Sequence, residues 1–238
     1  MVFSSLANFF FPHKCPLCDV LAIHERGFCQ SCRTKINPIT GPRCPQCGVS
    51  YLDVSITAHP CVSCLKETPH FDWHRSLYAF DEISKNLVHG LKYSARFETI
   101  PFFVEEWVKH HGKLLNGADY LIPVPLHLRR LASRSFNQSV ELAKILSVKT
   151  KINFLCASLV KARKTLPQTQ LKRSERLSNV KGSFQWEDIK YNLKDKKVIL
   201  VDDVFTTGST LSECARVLKK EGAKEVGCLT VAQTLLER

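Results

Sequence analysis

The stretch VILVDDVFTTGST, residues 198–210, constrains the fold of this chain more than any other segment. The continuous apolar run that opens it is typical of a strand buried on both faces, as in parallel sheets covered by helices. Asp202 and Asp203 close this run, and small residues then lead into a predicted helix. Because ligands of such sheets bind where strands turn into helices, the segment predicts a binding site at the carboxyl edge of an α/β sheet.

Strand-like and helix-like segments alternate on either side of this stretch. The predicted strands are RSLYAF, YLIPVP, KVILV and VGCLTVA, with NFLCASLV as a further apolar segment. The predicted helices are ISKNLVHGLKY, IPFFVEEWVKHH, NQSVELAKIL and STLSECARVLKKEG. This alternation predicts a mostly parallel α/β sheet with helices on both faces. The chain has neither a Gly-Lys-Ser/Thr nor a GxGxxG pattern, which excludes a P-loop and a dinucleotide-binding fold.

The residues after the acids have the composition of an anion site. Small hydroxyl side chains and one glycine let backbone N–H groups approach a phosphate at the start of a helix. The predicted phosphate-binding residues are Thr206, Thr207, Gly208, Ser209 and Thr210. The two acids are then placed to accept hydrogen bonds from a ribose diol. An ordinary N-capped helix, whose dipole the acids favour, is the alternative, but it explains Ser209 alone.

Eleven cysteines make the N-terminal part of the chain distinct. Eight of them form four CxxC pairs: Cys15 and Cys18, Cys29 and Cys32, Cys44 and Cys47, Cys61 and Cys64. Ten residues separate the first two pairs and thirteen the last two, so sequential pairing predicts two structural zinc sites of four thiolates each. Interleaved ligation and redox dithiols are the alternatives. We predict a zinc module over residues 1–69 and the α/β domain over residues 70–238. The other cysteines, Cys156, Cys214 and Cys228, are predicted core residues.

Positive charge is concentrated in the middle of the chain. The formal net charge is +12, and residues 120–186 hold thirteen Lys and Arg against two acids, a net of +11. Such concentration favours a functional basic surface for phosphate groups or nucleic acid over scattered solvated charge. The opening segment MVFSSLANFFFP is too short to span a bilayer and lacks the pattern of a signal peptide, so we expect a cytoplasmic protein without a membrane span. A membrane-touching amphipathic helix is the alternative there.

The stretch VILVDDVFTTGST resembles the phosphoribosyl pyrophosphate (PRPP) motif of type I phosphoribosyltransferases. The cysteine module, LKYSARFE, PVPLHLRRLASRSFNQS, TLPQTQLKRSERLSNVKGSF and this motif also occur in the order of the ComF family, whose namesake serves DNA uptake in competent bacteria. The resemblance covers almost the full length. Family members usually read Arg-Gly-Phe-Asn-Gln where this chain has Ser135 in place of the glycine. If that glycine serves to give the backbone an unusual conformation, the local geometry at Ser135 departs from the family pattern.

The resemblance implies a type I phosphoribosyltransferase-like domain carrying an N-terminal zinc module. It assigns the ribose to Asp202 and Asp203, the 5-phosphate to residues 206–210, and Mg²⁺ to the diphosphate. Basic residues that would meet pyrophosphate or DNA are Arg129, Arg130, Arg134, Arg163, Lys164, Lys172, Arg173 and Arg176. The implied partners are PRPP, single-stranded DNA and other DNA-uptake or recombination proteins.

Three functions remain open at this point. The favoured hypothesis is a cytoplasmic competence protein that binds incoming single-stranded DNA and has a PRPP site. A phosphoribosyltransferase of unknown acceptor and a non-catalytic PRPP sensor are the alternatives, and no motif names an acceptor or a catalytic residue. We expect the histidines His110, His111 and His127 to be structural. Trp107 and Trp186 are expected in the core rather than stacked on bases.

Overall fold

A computed structural model describes residues 14–18, 20–21, 28–51, 53, 55, 57–93, 97–127, 131–132, 135–163 and 180–234. The helices of four or more residues in these ranges are α1 Gln30–Arg33, α2 Val62–Lys66, α3 Glu82–Tyr93, α4 Ile100–Leu115, α5 Gln138–Thr150 and α6 Ser209–Lys220. A 3-10 turn, Phe97–Thr99, precedes α4. The strands there are β1 Trp73–Ala79, β2 Tyr120–Pro123, β3 Asn153–Phe154, β4 Leu159–Lys161, β5 Phe184–Trp186, β6 Lys197–Phe205 and β7 Glu225–Gln233.

Five strands form a parallel sheet in the order β1-β7-β6-β2-β3, and β4 pairs with β5 in a separate antiparallel ribbon. The predicted, mostly parallel α/β sheet is therefore confirmed. The centre of β6 is fully buried, with Val198 through Val201 excluded from solvent, as its continuous apolar sequence predicts. Strand β6 lies in the interior of the sheet, so its carboxyl end is flanked by the neighbouring strands β7 and β2.

Two hydrophobic clusters cover the two faces of the sheet. One cluster packs α6 against the sheet and contains the buried side chains of Cys214 and Cys228, which confirms the prediction for these two cysteines. The other contains α4 and α5 and has Trp107 fully buried at its centre. The expectation that Trp107 belongs to the core is therefore confirmed as well. The predicted phosphate-binding residues and the two acids therefore follow a strand that is packed on both faces.

The prediction that Cys156 is a core residue is wrong. The segment NFLCASLV does not form one strand but splits into β3 and β4, and Ala157 between them has φ of +69°. This break leaves the Cys156 side chain outside the core and exposed to solvent.

Strand β6 also differs from expectation, because it continues past KVILV to Phe205 by pairing with β7 as far as Gln233.

The cysteine-rich segment covers the outer edge of the sheet. Residues 37–39 run antiparallel to β1, with Ile39 N–H donating to the Leu77 carbonyl at 2.8 Å and Ala79 N–H to the Asn37 carbonyl at 3.1 Å. This pairing protects an edge strand whose polar groups are otherwise available to another chain. Within the described ranges, no helix has both the length and the hydrophobicity needed to cross a bilayer. The module boundary at residue 69 stays a prediction.

Candidate sugar-phosphate site and zinc centres

The eight paired cysteines form two groups of four. Cys15, Cys18, Cys29 and Cys32 make the first zinc site, and Cys44, Cys47, Cys61 and Cys64 make the second zinc site. Within each group all four sulfur atoms lie within 4.8 Å of one another. Sequential pairing is therefore confirmed over interleaved ligation. All four cysteines of the second zinc site are buried, whereas Cys18 of the first is exposed.

The sulfur spacing fits a tetrahedral zinc ion. Four sulfurs at about 2.3 Å from zinc stand about 3.8 Å apart at the corners of a tetrahedron. The observed separations are 3.7 Å for Cys18 and Cys29, 3.8 Å for Cys44 and Cys64, and 3.5 Å for Cys47 and Cys61. A disulfide would need about 2.0 Å. Because protein fills every coordination position, these sites hold zinc for structural purposes.

The full chain should contain about two zinc ions, because each complete four-thiolate group holds one. Elemental analysis of purified protein checks this number, and Cys64→Ser should lower it to about one. Ser212→Ala, a change outside both groups, serves as the control and should keep about two. A wild-type value near one would contradict the two-site arrangement.

The acid pair lies near the carboxyl end of β6, beside the first turn of α5. Asn137 caps this helix, since its side-chain oxygen accepts from Ser139 N–H at 3.0 Å and its amide donates to the Val124 carbonyl at 3.0 Å. The cap aims the next two side chains at the acids. Ser139 Oγ donates to Asp202 Oδ1 at 2.8 Å, and Gln138 Nε2 donates to Asp203 Oδ2 at 2.6 Å.

Asp203 also forms an ion pair with Lys92 of α3, whose Nζ lies 3.1 Å from Oδ2. Asp203 is buried, so this cation and the Gln138 amide compensate its charge. Asp202 is half-buried and lacks a cation at hydrogen-bond distance among the described side chains. Burial and the neighbouring Asp203 raise the pKa of Asp202 to about 7. Two carboxyl groups at one strand end thus sit in different environments.

Residues 206–210, which we call the phosphate loop after their predicted ligand, follow β6 directly and include the first two residues of α6. Gly208 immediately precedes the helix and has φ of +78°, a backbone conformation that residues with a side chain rarely adopt. A Cβ at Gly208 would lie 2.6 Å from Cζ of Phe205, so the backbone of the loop rests directly on this ring. Thr207 Oγ1 and Ser209 Oγ lie 2.7 Å apart in the same turn. The predicted phosphate-binding residues are therefore gathered at a helix N-terminus.

A cavity of about 430 Å³ adjoins the phosphate loop. Its lining includes residues 206–209 together with Cys47 and Cys64 of the second zinc site. Lys181 and Arg216 also line it, and Arg216 pairs with Glu213 at 2.8 Å. This volume falls in the usual range for small-molecule sites. The paired acids do not line the cavity. The phosphate loop therefore borders the cavity, whereas the acids lie outside it.

Seven of the eight basic residues predicted to meet pyrophosphate or DNA lie outside the residues that the structure describes. They are Arg129, Arg130, Arg134, Lys164, Lys172, Arg173 and Arg176. Arg163 is described, and its guanidinium is exposed and donates to the Lys181 carbonyl at 2.8 Å. Arg163 is thereby held beside a residue of the cavity wall.

Comparison with known proteins identifies both modules. A double zinc ribbon domain matches residues 6–68, and a phosphoribosyl transferase domain matches residues 131–235. "Competence protein F" of Haemophilus influenzae is 30% identical over 225 residues, which is 91% of this chain and 95% of that protein. "DNA utilization protein YhgH" of Escherichia coli K12 is 31% identical over 232 residues, covering 94% of this chain and 98% of that protein.

The chain belongs to the ComF family. "Competence protein ComFC" of Bacillus subtilis is a more distant relative, 27% identical over 215 residues that cover 88% of this chain and 85% of that protein. At the position of the usual ComF glycine, Ser135 has φ of +63°. A left-handed conformation favours glycine, so Ser135 adopts here what a glycine would adopt more easily.

Sequence reasoning missed three residues of this candidate site. Lys92 lies in the motif LKYSARFE, and Gln138 and Ser139 lie in SFNQS, so the motifs are visible in the sequence but their contacts to the acids are not. The signal that could have found them is that these polar motifs accompany two acids near the end of a buried strand, whose charge needs polar partners. His111 and Trp107 are buried in the core, as expected for structural residues.

Proposed function

We propose that this chain is a competence protein that binds single-stranded DNA in the cytoplasm and carries a functional PRPP site. The observation that carries this proposal is the phosphate loop next to the paired acids at the carboxyl end of β6. In this assignment residues 206–210 bind the 5-phosphate through backbone N–H groups, and Asp202 accepts hydrogen bonds from the ribose hydroxyls. Lys92 and Gln138 fix Asp203 beside it.

The competence role comes from the relatives, whose names refer to competence and DNA utilization. The DNA contact is supported by charge, because residues 120–186 carry a net of +11 in a chain of +12. Basic residues that neutralise DNA phosphates release condensed counterions, which drives binding at low salt. Mg²⁺ is expected with the PRPP diphosphate, since magnesium is commonly held by substrate phosphates. Other DNA-uptake or recombination proteins are the expected protein partners.

Binding of a labelled single-stranded oligonucleotide, followed by fluorescence anisotropy across salt concentrations, tests the DNA assignment. Replacing Arg129, Arg130 and Arg134 by Ala should weaken binding and flatten the salt dependence by about 0.7 for each DNA phosphate that is no longer neutralised. Replacing Lys190 and Lys194, which lie outside the basic segment, is the control and should leave the slope nearly unchanged. Equal effects of the two sets of substitutions would contradict a localised DNA surface.

A second candidate function is phosphoribosyl transfer, and the cavity beside the phosphate loop favours it by providing room for an acceptor. PRPP-dependent release of pyrophosphate on addition of nucleobases or DNA would support this candidate. Binding of PRPP without pyrophosphate release under any of these conditions would instead support a non-catalytic sensor.

A further inference from the structure

The second zinc site and the phosphate loop are joined through the backbone of one zinc ligand. The Cys47 carbonyl accepts two hydrogen bonds from the α/β domain, one from His74 Nδ1 at 2.8 Å and one from Gln233 Nε2 at 2.9 Å. Since a carbonyl oxygen can only accept, His74 carries its proton on Nδ1 in this contact. Both donors are buried, His74 at 0% and Gln233 at 1% exposure, so losing their acceptor would be costly.

The first connection runs through aromatic rings. The His74 ring stacks on Phe205 with centroids 4.0 Å apart and planes 22° apart. The Phe205 ring in turn supports the backbone of Gly208 so closely that a Cβ there would be 2.6 Å away. Successive contacts therefore lead from a zinc ligand to the centre of the phosphate loop. Well-packed rings of this kind transmit displacement, because interiors have few voids that absorb it.

The second connection runs through the end of β7. Gln233 pairs in register with Phe205, and the next residue, Thr234, donates its hydroxyl to the Thr206 carbonyl at 3.0 Å. The Thr234 N–H also donates to the Phe205 carbonyl at 2.9 Å. Gln233 Oε1 has no hydrogen-bond partner among the described atoms, so its amide is fixed only through the bond to Cys47. Release of Cys47 would free this side chain next to the loop.

The zinc turn itself is fitted closely against β1. Gly48, which follows Cys47, has φ of +71°, and a Cβ there would lie 2.6 Å from the His74 carbonyl oxygen. His74 N–H donates to the Gln46 carbonyl at 2.6 Å. The turn that presents zinc ligands is thus bound to the same residue that supports Phe205. The first zinc site differs, because Cys15, Cys29 and Cys32 pack in the opposite cluster with α4.

We propose that zinc in the second site holds the phosphate loop in its binding conformation, with His74 and Gln233 as the positioning residues. The first zinc site has no part in this coupling. Coupling between two sites is reciprocal in binding free energy, so an anionic ligand on the loop also tightens zinc binding at the second site. The effect of zinc on the loop, which is the loop half of the proposal, requires no ligand. The effect of the ligand on zinc, which is the reciprocal half, rests on the proposed PRPP site.

Hydrogen exchange of the full chain, read by mass spectrometry on peptides covering residues 205–212, tests the loop half without any ligand. Gln233→Leu keeps every zinc ligand and the side-chain volume but removes one bond to the Cys47 carbonyl. We expect exchange of the loop amides to rise about fivefold or more, with α5 amides unchanged and zinc content still about two. Gln185→Leu, at an exposed residue whose side chain donates to Glu187, is the matched control.

Zinc-site variants separate the two centres in the same measurement. Cys64→Ser in the second zinc site should raise loop exchange, and Cys18→Ser in the first should not. If Cys64→Ser increases exchange throughout the chain, the Gln233→Leu result decides. Unchanged loop exchange in Gln233→Leu, or equal increases in both cysteine variants, would overturn the proposal.

Equilibrium competition for zinc with a chelator, with and without PRPP and Mg²⁺, tests the reciprocal half. PRPP should raise the affinity for one of the two zinc ions by about fivefold or more, and Gln233→Leu should abolish this gain. Unchanged affinity for both ions, or an equal gain for both, would overturn the coupling. If PRPP fails to bind while loop exchange still depends on the second zinc site, the proposed function is wrong and the loop half of the coupling stands.

Discussion

Replacing Asp202 by Asn is expected to make the protein more stable above pH 7 and at the same time to weaken PRPP binding. An Asn side chain keeps an oxygen that accepts from Ser139 Oγ and from Asp203 N–H, the two bonds that Asp202 Oδ1 accepts now. It removes the charge-assisted bonds to a ribose diol, which should weaken binding about tenfold to a hundredfold. Calorimetric titration of both proteins with PRPP and Mg²⁺ measures the affinity change.

The stability gain follows from the pKa of Asp202, which is raised from 3.8 to about 7 in the folded protein. Between these values the native state holds a proton that the unfolded chain has lost. The stability contributed by this carboxyl is therefore complete below about pH 4 and is lost as pH rises through about 7. Asn stays neutral, so the free energy of unfolding should rise by about 2–4 kcal/mol at pH 8 and little at low pH.

Urea unfolding at pH 5 and at pH 8 measures this difference. Asp188→Asn is the control with the opposite sign, because hydrogen bonds from Ser158 Oγ and Lys190 N–H lower the pKa of Asp188. Its substitution should cost stability at pH 8. If Asp202→Asn were instead less stable than the wild type at pH 8, the assigned environment of the acid pair would be incorrect.

Replacing Gly208 by Ala should disrupt the phosphate loop. The residue has φ of +78°, and the new methyl group would lie 2.6 Å from Phe205 Cζ. Backbone strain and collision together should cost about 2–4 kcal/mol of stability, and displacement of the loop should weaken PRPP binding at least about tenfold. Urea unfolding and calorimetric titration measure the two effects.

Gly117→Ala separates strain from collision. Gly117 also has a positive φ, +73°, but nothing lies within 4 Å of an added Cβ there. This control should lose about 1–2 kcal/mol from backbone strain alone and bind PRPP as the wild type does. Comparable PRPP affinities for Gly208→Ala and the wild type would remove the loop from the ligand site.

Much of this architecture is encoded locally and is predictable from sequence. The buried run of β6, the helix after Gly208 and the cysteine spacing each depend on residues close together in the chain. A continuous apolar run of this length is typical of a strand buried between two layers of helices. Each CxxC turn brings two sulfurs to one ion through local backbone geometry alone. Element types and zinc pairing are predictable for this reason.

The contacts that define the site are long-range, and sequence spacing does not encode them. Lys92 reaches Asp203 across 111 positions of chain, and Gln233 reaches Cys47 across 186 positions. The exposure of Cys156 is not predictable because a single residue, Ala157, takes a left-handed conformation that its apolar neighbours do not indicate. Packing of the zinc module on β1 is likewise visible only in the structure.

The most direct test of the proposed sugar-phosphate site is calorimetric titration of the full chain, holding both zinc ions, with PRPP and Mg²⁺ in the presence and absence of single-stranded DNA. We predict saturable binding of about one PRPP per chain, weakened in Asp202→Asn, because one phosphate loop and one acid pair form the site. Absence of saturable heat from the wild-type protein, with about two zinc ions present, would contradict a working sugar-phosphate site.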